Sequence, residues 1–449
     1  MRDLFVLPLL LSMLALTFVA PYVGVLTWTW LTLMNPHRFL WGILSSLPLN
    51  LIVAVVVAIG WALSREPKRL PVNALTVLLV LFVCLMTVTT FFALVPEKSW
   101  PLWDRNIKII ALGFLVAAMA NNRIRVHALI WVVVISLGYF GVKGGAFTLL
   151  TGGKYLVLGP ERSPIQDNNH MALALCMVIP LINYLRLQSS VYWIRLGLIA
   201  AILFTIVAIL GTHSRGGLVG LATVCAYFWW KSDGKLLIAI IGVAALFAGI
   251  SFMPDFWGDR MRTLEDFQED SSFRVRMQAW TFAINLALDR PLVGGGFSAG
   301  ELLSVYRQYL PLELDLEFGR ASHSIYFQVL ADHGFPGFVV YVLILALLWW
   351  QTLSISWHTV NRPELQWMNQ LVRMIQVSLL AFYVAGAALS MAYYDLLFII
   401  LGVVVSMREM LNRSANATSE AVGAPTTPVG HGAGAAVARR VTRSSPRVG

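Results

Sequence analysis

Four separated stretches of a 449-residue chain gather chemically capable side chains between long apolar runs. They are Asp167-Asn168-Asn169-His170, Gly211-Thr212-His213-Ser214-Arg215-Gly216-Gly217, the pair Arg274 and Arg276, and Ser322-His323-Ser324. Arg215 has apolar sequence on both sides, where a charged group costs about 2.5–3.5 kcal/mol at the centre of a span and less near its edge. It opens a helix after a tight turn, with Gly216 and Gly217 leaving backbone N–H groups accessible. A helix N-terminus beside a guanidinium suits an anion. A snorkelling interfacial arginine is the plainer reading of an isolated residue; with His213 on one side and two glycines on the other, the pattern favours anion binding.

Arg274 and Arg276 are two apart on an expected helix, so they do not share a face and at most one points into a site. The spacing Arg276-x-x-x-Trp280 puts that arginine and an aromatic on one face; an amphipathic surface helix with Glu269 and Asp270 as acidic partners is an equal reading. His323, within Ser322-His323-Ser324-Ile325-Tyr326, is a side chain able to exchange a proton near neutral pH, or a hydrogen-bonded structural histidine. Pairing it with His333 around a metal lacks the one-turn spacing of a metal-binding helix. Glu313, Asp315 and Glu317 alternate with apolar residues and line one face of an extended segment, which fits a solvated edge better than a cation site. No phosphate-binding loop, dinucleotide fingerprint or Ser-His-Asp order is present.

The elements that must position these residues are membrane helices. Hydrophobic side chains make up 58% of the chain and charged ones 12%, against about 25% charged in an ordinary soluble protein. A soluble globule and a disordered chain are excluded. At about 20 apolar residues per crossing, spans fall near Ser46 to Ser64, Pro71 to Leu94, Ile107 to Ala120, His127 to Val142, His170 to Leu187, Ile194 to Gly211, Arg215 to Trp230, Lys235 to Phe252, Phe335 to Trp350, Leu371 to Met391 and Asp395 to Met407. Leu4 to Met34 is one tilted helix or two short ones broken at Pro21, retained rather than cleaved as a signal peptide. The expected fold is therefore all-α, a polytopic membrane protein of about twelve spans.

Basic residues orient the spans. Arg65, Lys68 and Arg69, then Arg123 and Arg125, then Arg186 and Arg195, then Lys231 and Lys235 occupy alternate loops, which places those loops in the cytoplasm. Lys98, Arg105, Lys143 and Lys154 are exceptions on the outer side. An even number of crossings separates the four polar stretches, so they share one outward face. The long outward connection Pro254 to Gly334 is expected to fold, with a helix over Phe273 to Leu288 stopped by Pro291 and Gly294 to Gly296. Residues 1–411 form the membrane domain. Residues 412–449 read as a disordered cytoplasmic tail that carries much of the net charge of +10, with Arg413, Arg439, Arg440, Arg443 and Arg447 against Glu420. With the charge placed there, nucleic acid is not an expected partner. Cys84, Cys176 and Cys225 have neither disulfide nor metal spacing and read as packing residues.

Ser214-Arg215-Gly216-Gly217, the run from Arg276-x-x-x-Trp280 to Arg290-Pro291-Leu292-Val293-Gly294-Gly295-Gly296, and His323-Ser324-x-Tyr326 followed by Leu330-x-Asp332-x-Gly334-x-x-Gly337 resemble the O-antigen ligase and polymerase superfamily of bacterial inner-membrane glycosyltransferases. The family histidine is commonly followed by Asn, where this chain has Ser324. The first third, with Trp28-Thr29-Trp30-Leu31-x-x-Met34-Asn35-Pro36-His37-Arg38 and Gly141-Val142-Lys143-Gly144-Gly145, is similar to O-glycosylation ligases found near exosortase systems.

The resemblance implies transfer of a glycan from undecaprenyl diphosphate to an acceptor on the periplasmic face of the inner membrane, without nucleotide, metal or other cofactor. It implies Arg215 and Arg276 on the diphosphate and His323 as base, with Arg274, His213, Asn168, Asn169 and Tyr326 as further substrate-binding residues. Lipid A core is the favoured acceptor, as in lipopolysaccharide ligation; a lipid-linked repeat (polymerase) or a protein hydroxyl (O-oligosaccharyltransferase) are the alternatives. A lipid-linked sugar transporter or flippase is the reading from another class. A transporter should carry inverted repeats with helices interrupted at midplane, whereas here the polar groups collect on one face and in one loop.

Overall fold

The computed structural model describes residues 2–39, 47–231, 235, 271–311 and 317–423. The expected span at 236–252, the loop residues 254–270, Glu313, Asp315 and the tail beyond residue 423 lie outside the described residues. Residues 1–410 form one compact unit, and a second unit begins at Leu411.

The described residues are helical, without a strand. The order is α1 (Arg2–Val19), α2 (Pro21–Met34), α3 (Leu49–Leu63), α4 (Ala74–Phe91), α5 (Pro96–Met119), α6 (Arg123–Leu150), α7 (Asn168–Gln188), α8 (Tyr192–Gly211), α9 (Arg215–Lys231), α10 (Ser271–Asp289), α11 (Leu303–Gln308), α12 (Ile325–Thr359), α13 (Gln366–Gly386) and α14 (Asp395–Gly423). Six apolar stretches are long enough to cross a membrane among the described residues: α4, α6, α7, α8, α12 and Pro363–Gly386, which contains α13. The chain is thus an α-helical membrane protein. Pro21 separates α1 from α2, and the two pack against each other, so the ambiguous first segment is two helices. The last helix continues to Gly423, past the point where the sequence puts the start of the tail.

Apolar side chains sort by position in the bundle. α7 is enclosed, with Met171 to Ile182 almost wholly buried, between α6, α8, α9 and α13. α8 instead turns Leu196, Ile199 and Leu203 outward, as a lipid-facing helix must when no interior is available. α6 is longer than the sequence reading: Lys143, Gly144 and Gly145 were expected in a connection, yet the helix runs through them to Leu150. A Cβ at Gly145 would lie 2.1 Å from the Phe204 carbonyl oxygen, so this glycine serves close approach to α8 rather than a turn.

α12 is two helical segments joined at a kink: the first runs back to Ile325, and the second begins after Gly334 (φ 63°, ψ −166°), where the sequence puts the start of a span at Phe335. Two residues after Gly334, Pro336 has no N–H to offer the Asp332 carbonyl. That carbonyl accepts from Gly296 N–H at 3.0 Å, and the Ala331 carbonyl from Gly295 N–H at 2.8 Å. In return Phe335 N–H donates to the Pro291 carbonyl at 2.9 Å. The stretch 290–296 therefore supplies the backbone partners that the break in α12 leaves open, meeting the rule that buried peptide groups are paired. A helix over Phe273 to Leu288 is matched by α10, whose Phe282, Ala283 and Leu286 form a small separate core with Val305, Tyr306 and Ala331.

Candidate active site

Asp167 caps α7, its Oδ1 accepting from Asn169 N–H at 2.8 Å and His170 N–H at 3.3 Å. Short polar side chains satisfy the open donors of a helix start in this way. The capped end then binds the turn between α8 and α9. Asn168 Nδ2 donates to the Thr212 carbonyl at 2.8 Å, and Ser214 Oγ donates to Asn169 Oδ1 at 2.7 Å. His213 sits in that turn with φ 52° and is buried, with its Nε2 3.0 Å from the Gly153 carbonyl oxygen. Arg215 follows as the first residue of α9, half-buried. Contrary to the sequence expectation, the Gly217 N–H is not open to a ligand, because it donates to Ser214 Oγ at 3.0 Å. Gly217 instead lets α9 approach α7, since a Cβ there would lie 2.5 Å from Ala172 Cβ. Gly216 meets nothing closer than Ser214 Oγ at 3.9 Å.

His323 is held by the connection between α13 and α14. Its backbone is left-handed (φ 46°) and its N–H donates to Ser390 Oγ at 2.7 Å. A non-glycine residue in this region stores about 1–3 kcal/mol, which the surrounding bonds must offset. Next to it Ser324 caps α12, its Oγ accepting from Tyr326 N–H at 3.3 Å. Ser and Asn are both strong N-caps, so the departure from the family pattern at this position preserves the same local job.

Burial lowers the His323 pKa first, and the Arg276, His170 and Arg320 side chains lower it further against an opposing effect of Asp167. At neutral pH the imidazole is therefore neutral and able to accept a proton. His170 at the α7 start, Phe282 of α10 and Ser322 just before α12 line one cavity, so the structure brings those three segments together. Arg276 is half-buried and Arg274 exposed, as two residues on different faces of α10 must be. Trp280, one turn on from Arg276, stacks on Phe327 with ring centroids 5.0 Å apart, docking α10 against the start of α12. Tyr326 is half-buried and donates its hydroxyl to the Tyr383 carbonyl at 3.2 Å, which ties α12 to α13. His333, weighed in the sequence as a metal partner for His323, is wholly buried, its Nδ1 2.7 Å from Thr89 Oγ1 and its ring against Phe82 and Phe297. No cluster of three or more His, Cys, Asp or Glu suited to a metal occurs among the described residues.

Beside His323 lies a cavity of about 270 Å³. Its walls include four ionisable side chains, Arg105, Glu301, Arg320 and Asp332, together with His170 and Ser390. The sequence placed His170 in one of the polar stretches and Asp332 in a motif, but pointed to none of the other four as site residues. Arg105 had a signal, as a basic residue on the side of the membrane where few are expected. Asp332 had another, as a carboxylate within an apolar stretch. Ser390 and Arg320 come from connections between helices, and only tertiary docking brings them here.

Residues 172–342, which span α7 to α12 and hence most of this site, match the family model described as O-Antigen ligase. Residues 1–190 match a family of unknown function, DUF5935. No curated protein matches the chain.

Proposed function

For a chain that carries a domain of the O-antigen ligase and polymerase superfamily over residues 172–342, a family of glycosyltransferase-like membrane enzymes, we propose O-antigen ligation. The reaction transfers a glycan from undecaprenyl diphosphate to lipid A core at the periplasmic face of the bacterial inner membrane. The observation that supports this reading is that His170 and Arg320 line one cavity with Ser322, the chain neighbour of His323, and that the α7 start carrying His170 also holds the Arg215 turn through Asn168 and Asn169.

In the proposed reaction His323 takes the proton of an acceptor hydroxyl as its oxygen attacks the anomeric carbon. The bond from that carbon to the diphosphate oxygen breaks, and undecaprenyl diphosphate leaves. Negative charge grows on the diphosphate oxygens in that step, and fixed guanidinium groups stabilise it most when they are already in position. Arg215 and Arg276 take this role, and a positioned base contributes about 10²–10⁴ in rate. The lipid diphosphate is the activated leaving group, so the step draws on no nucleotide. About twelve spans, with the segment 254–334 on the periplasmic side, complete the topology. Asn168, Asn169 and His213 act by holding the Arg215 turn, and Arg274 by attracting the anionic donor from the exposed face of α10.

Purified protein incubated with undecaprenyl-diphosphate oligosaccharide and lipid A core tests the proposal. The joined product and released undecaprenyl diphosphate are expected. Longer lipid-linked chains instead would make the enzyme a polymerase, and movement of intact donor across the bilayer without bond cleavage would make it a transporter.

A further inference from the structure

The end of α7 opposite the candidate active site carries a second cluster of cations. Over its 21 residues the helix rises about 30 Å, the depth of a hydrocarbon core. Arg123, the first residue of α6, donates from Nη2 to Gln188 Oε1 at 3.1 Å, and Arg195 of α8 donates from Nε to the Ser189 carbonyl. Gln188 and Ser189 are consecutive, so the two guanidinium groups flank one point, where α7 hands over to α8. Both arginines are exposed, and both bonds go to neutral acceptors. A guanidinium has several N–H donors, so most donors and the whole charge stay available to a ligand. Arg186 on the last turn of α7 adds a third cation, half-buried, that donates to Asn183 Oδ1 at 2.9 Å.

Arg125 shows what neutralisation looks like in the same turn of α6. Its Nη1 donates to Glu66 Oε2 at 2.8 Å and its Nη2 to Glu66 Oε1 at 2.5 Å, a bidentate ion pair. Among the described residues no carboxylate forms such a pair with Arg123, Arg186 or Arg195. Glu364, close in the chain to the Trp367 ring that lies 5.9 Å from the Arg123 guanidinium carbon, is exposed and pairs with none of them. The fold therefore leaves this point positive while it cancels the charge beside it.

The surface next to these charges is apolar in a helical pattern. Tyr192, Leu196, Ile199 and Leu203 recur at four and three residues along α8, and all are exposed. Residues so spaced share one face, and Arg195 adjoins Tyr192 and Ile199 on it. The stripe runs about 16 Å along the helix, close to half of a hydrocarbon core about 30 Å thick, and so the depth of one leaflet. Tyr192 and Trp193 stand at its charged end with ring centroids 5.4 Å apart, as aromatic side chains do at a membrane boundary. A ligand that fits both parts has a fixed negative charge at one end and hydrocarbon at the other. A zwitterionic headgroup would bring an ammonium against the arginines, and a free phosphate would leave the stripe unused.

We propose that the junction of α6, α7 and α8 binds an anionic glycerophospholipid, its phosphodiester held between Arg123 and Arg195 and its acyl chains laid on the Tyr192 to Leu203 face of α8. Arginine's planar fork matches phosphate oxygens in pairs, and basic pockets between helix ends are where anionic headgroups collect. With the orientation proposed above, the lipid belongs to the cytoplasmic leaflet. The site stands a helix length from the candidate active site and does not depend on the transfer reaction.

Native mass spectrometry of the full chain in detergent, with phosphatidylglycerol and phosphatidylethanolamine of matched chains as probes, tests the site. The wild type should retain phosphatidylglycerol at least tenfold more tightly than phosphatidylethanolamine. Arg123→Gln with Arg195→Gln should cut that preference at least fivefold. Lys68→Gln with Arg69→Gln removes two charges from another loop at the same end and should leave the preference within twofold. Heat unfolding without phosphatidylglycerol should match the wild type in both double variants. Should the first double variant fail to fold, Arg195→Gln alone carries the test, with at least a threefold loss. Equal retention of the two lipids by the wild type overturns the site. So does an equal loss in the Lys68→Gln, Arg69→Gln protein, because surface charge at large would then explain the binding. Displacement of the lipid by millimolar inorganic phosphate overturns it too, since the α8 stripe would then contribute nothing.

Discussion

Gly216 and Gly217 are adjacent, and the structure assigns them opposite sensitivities. At Gly216 an added Cβ meets Ser214 Oγ at 3.9 Å, an ordinary contact, and alanine in a helix is better than glycine by about 0.5–1 kcal/mol. Gly216→Ala should be neutral or slightly stabilising. At Gly217 the Cβ would lie 2.5 Å from Ala172 Cβ, whereas carbons prefer about 3.5–4.0 Å. α7 and α9 must then separate by roughly 1 Å, at a packing cost of about 1–3 kcal/mol that the same helix preference offsets only in part. The net loss should be about 0.5–2 kcal/mol by that balance, too little to unfold the protein. The functional effect should be larger, because Arg215 opens the displaced helix and a 1 Å misplacement of a catalytic group costs on the order of 10²-fold. Thermal unfolding of the purified variants in detergent and turnover of undecaprenyl-diphosphate oligosaccharide separate the two effects. A Gly217→Ala protein with wild-type turnover, or a Gly216→Ala protein equally impaired, would show that the α7–α9 contact does not set the position of Arg215.

Arg215→Lys should lower kcat/KM by about 10–100-fold, the loss of a charge-assisted bidentate contact worth about 1.5–3 kcal/mol; wild-type kinetics would remove Arg215 from the site. Because burial and then Arg276 depress the His323 pKa, the base stays unprotonated below the ordinary imidazole value of about 6.5. The acid limb of the pH–rate profile should therefore lie below that value. Arg276→Gln should move the limb to higher pH as well as slow the reaction, and a limb at unchanged pH would contradict the coupling. Asp332→Ala should destabilise the protein by about 2–4 kcal/mol, since the Ser298 N–H and the Tyr393 O–H both lose an acceptor and each buried orphan costs about 1–3 kcal/mol. Asp332→Asn keeps one acceptor oxygen and should cost about 1 kcal/mol or less, and chemical denaturation compares the two.

The helices were legible because an apolar run of bilayer length has few other uses. Arg215 to Trp230, read as a span, is met by a helix from Arg215 to Lys231, since a charged residue and a turn mark its start. Where the reading fell short, a glycine or proline had a second meaning. Gly144 and Gly145 look like loop residues, yet they lie in α6 where it nears α8. Gly334 and Pro336 do mark a break in α12, but the residues before it are helical rather than loop, and Gly295 and Gly296 supply the backbone bonds that the break leaves open.

The site divides in the same way. Polar groups set among apolar residues, such as Arg215 and His323, stand out in sequence because the membrane makes them costly. Glu301, Arg320 and Ser390 sit in polar connections where such residues are commonplace. Their meeting depends on how residues 290–301 dock onto α12 and how the connection before α14 turns back over His323.

His323→Ala, reconstituted with undecaprenyl-diphosphate oligosaccharide and lipid A core, tests the central assignment most directly. Donor binding equal to that of the wild type is expected, with no joined product and no released undecaprenyl diphosphate. Turnover at the wild-type rate in that variant would contradict the assignment.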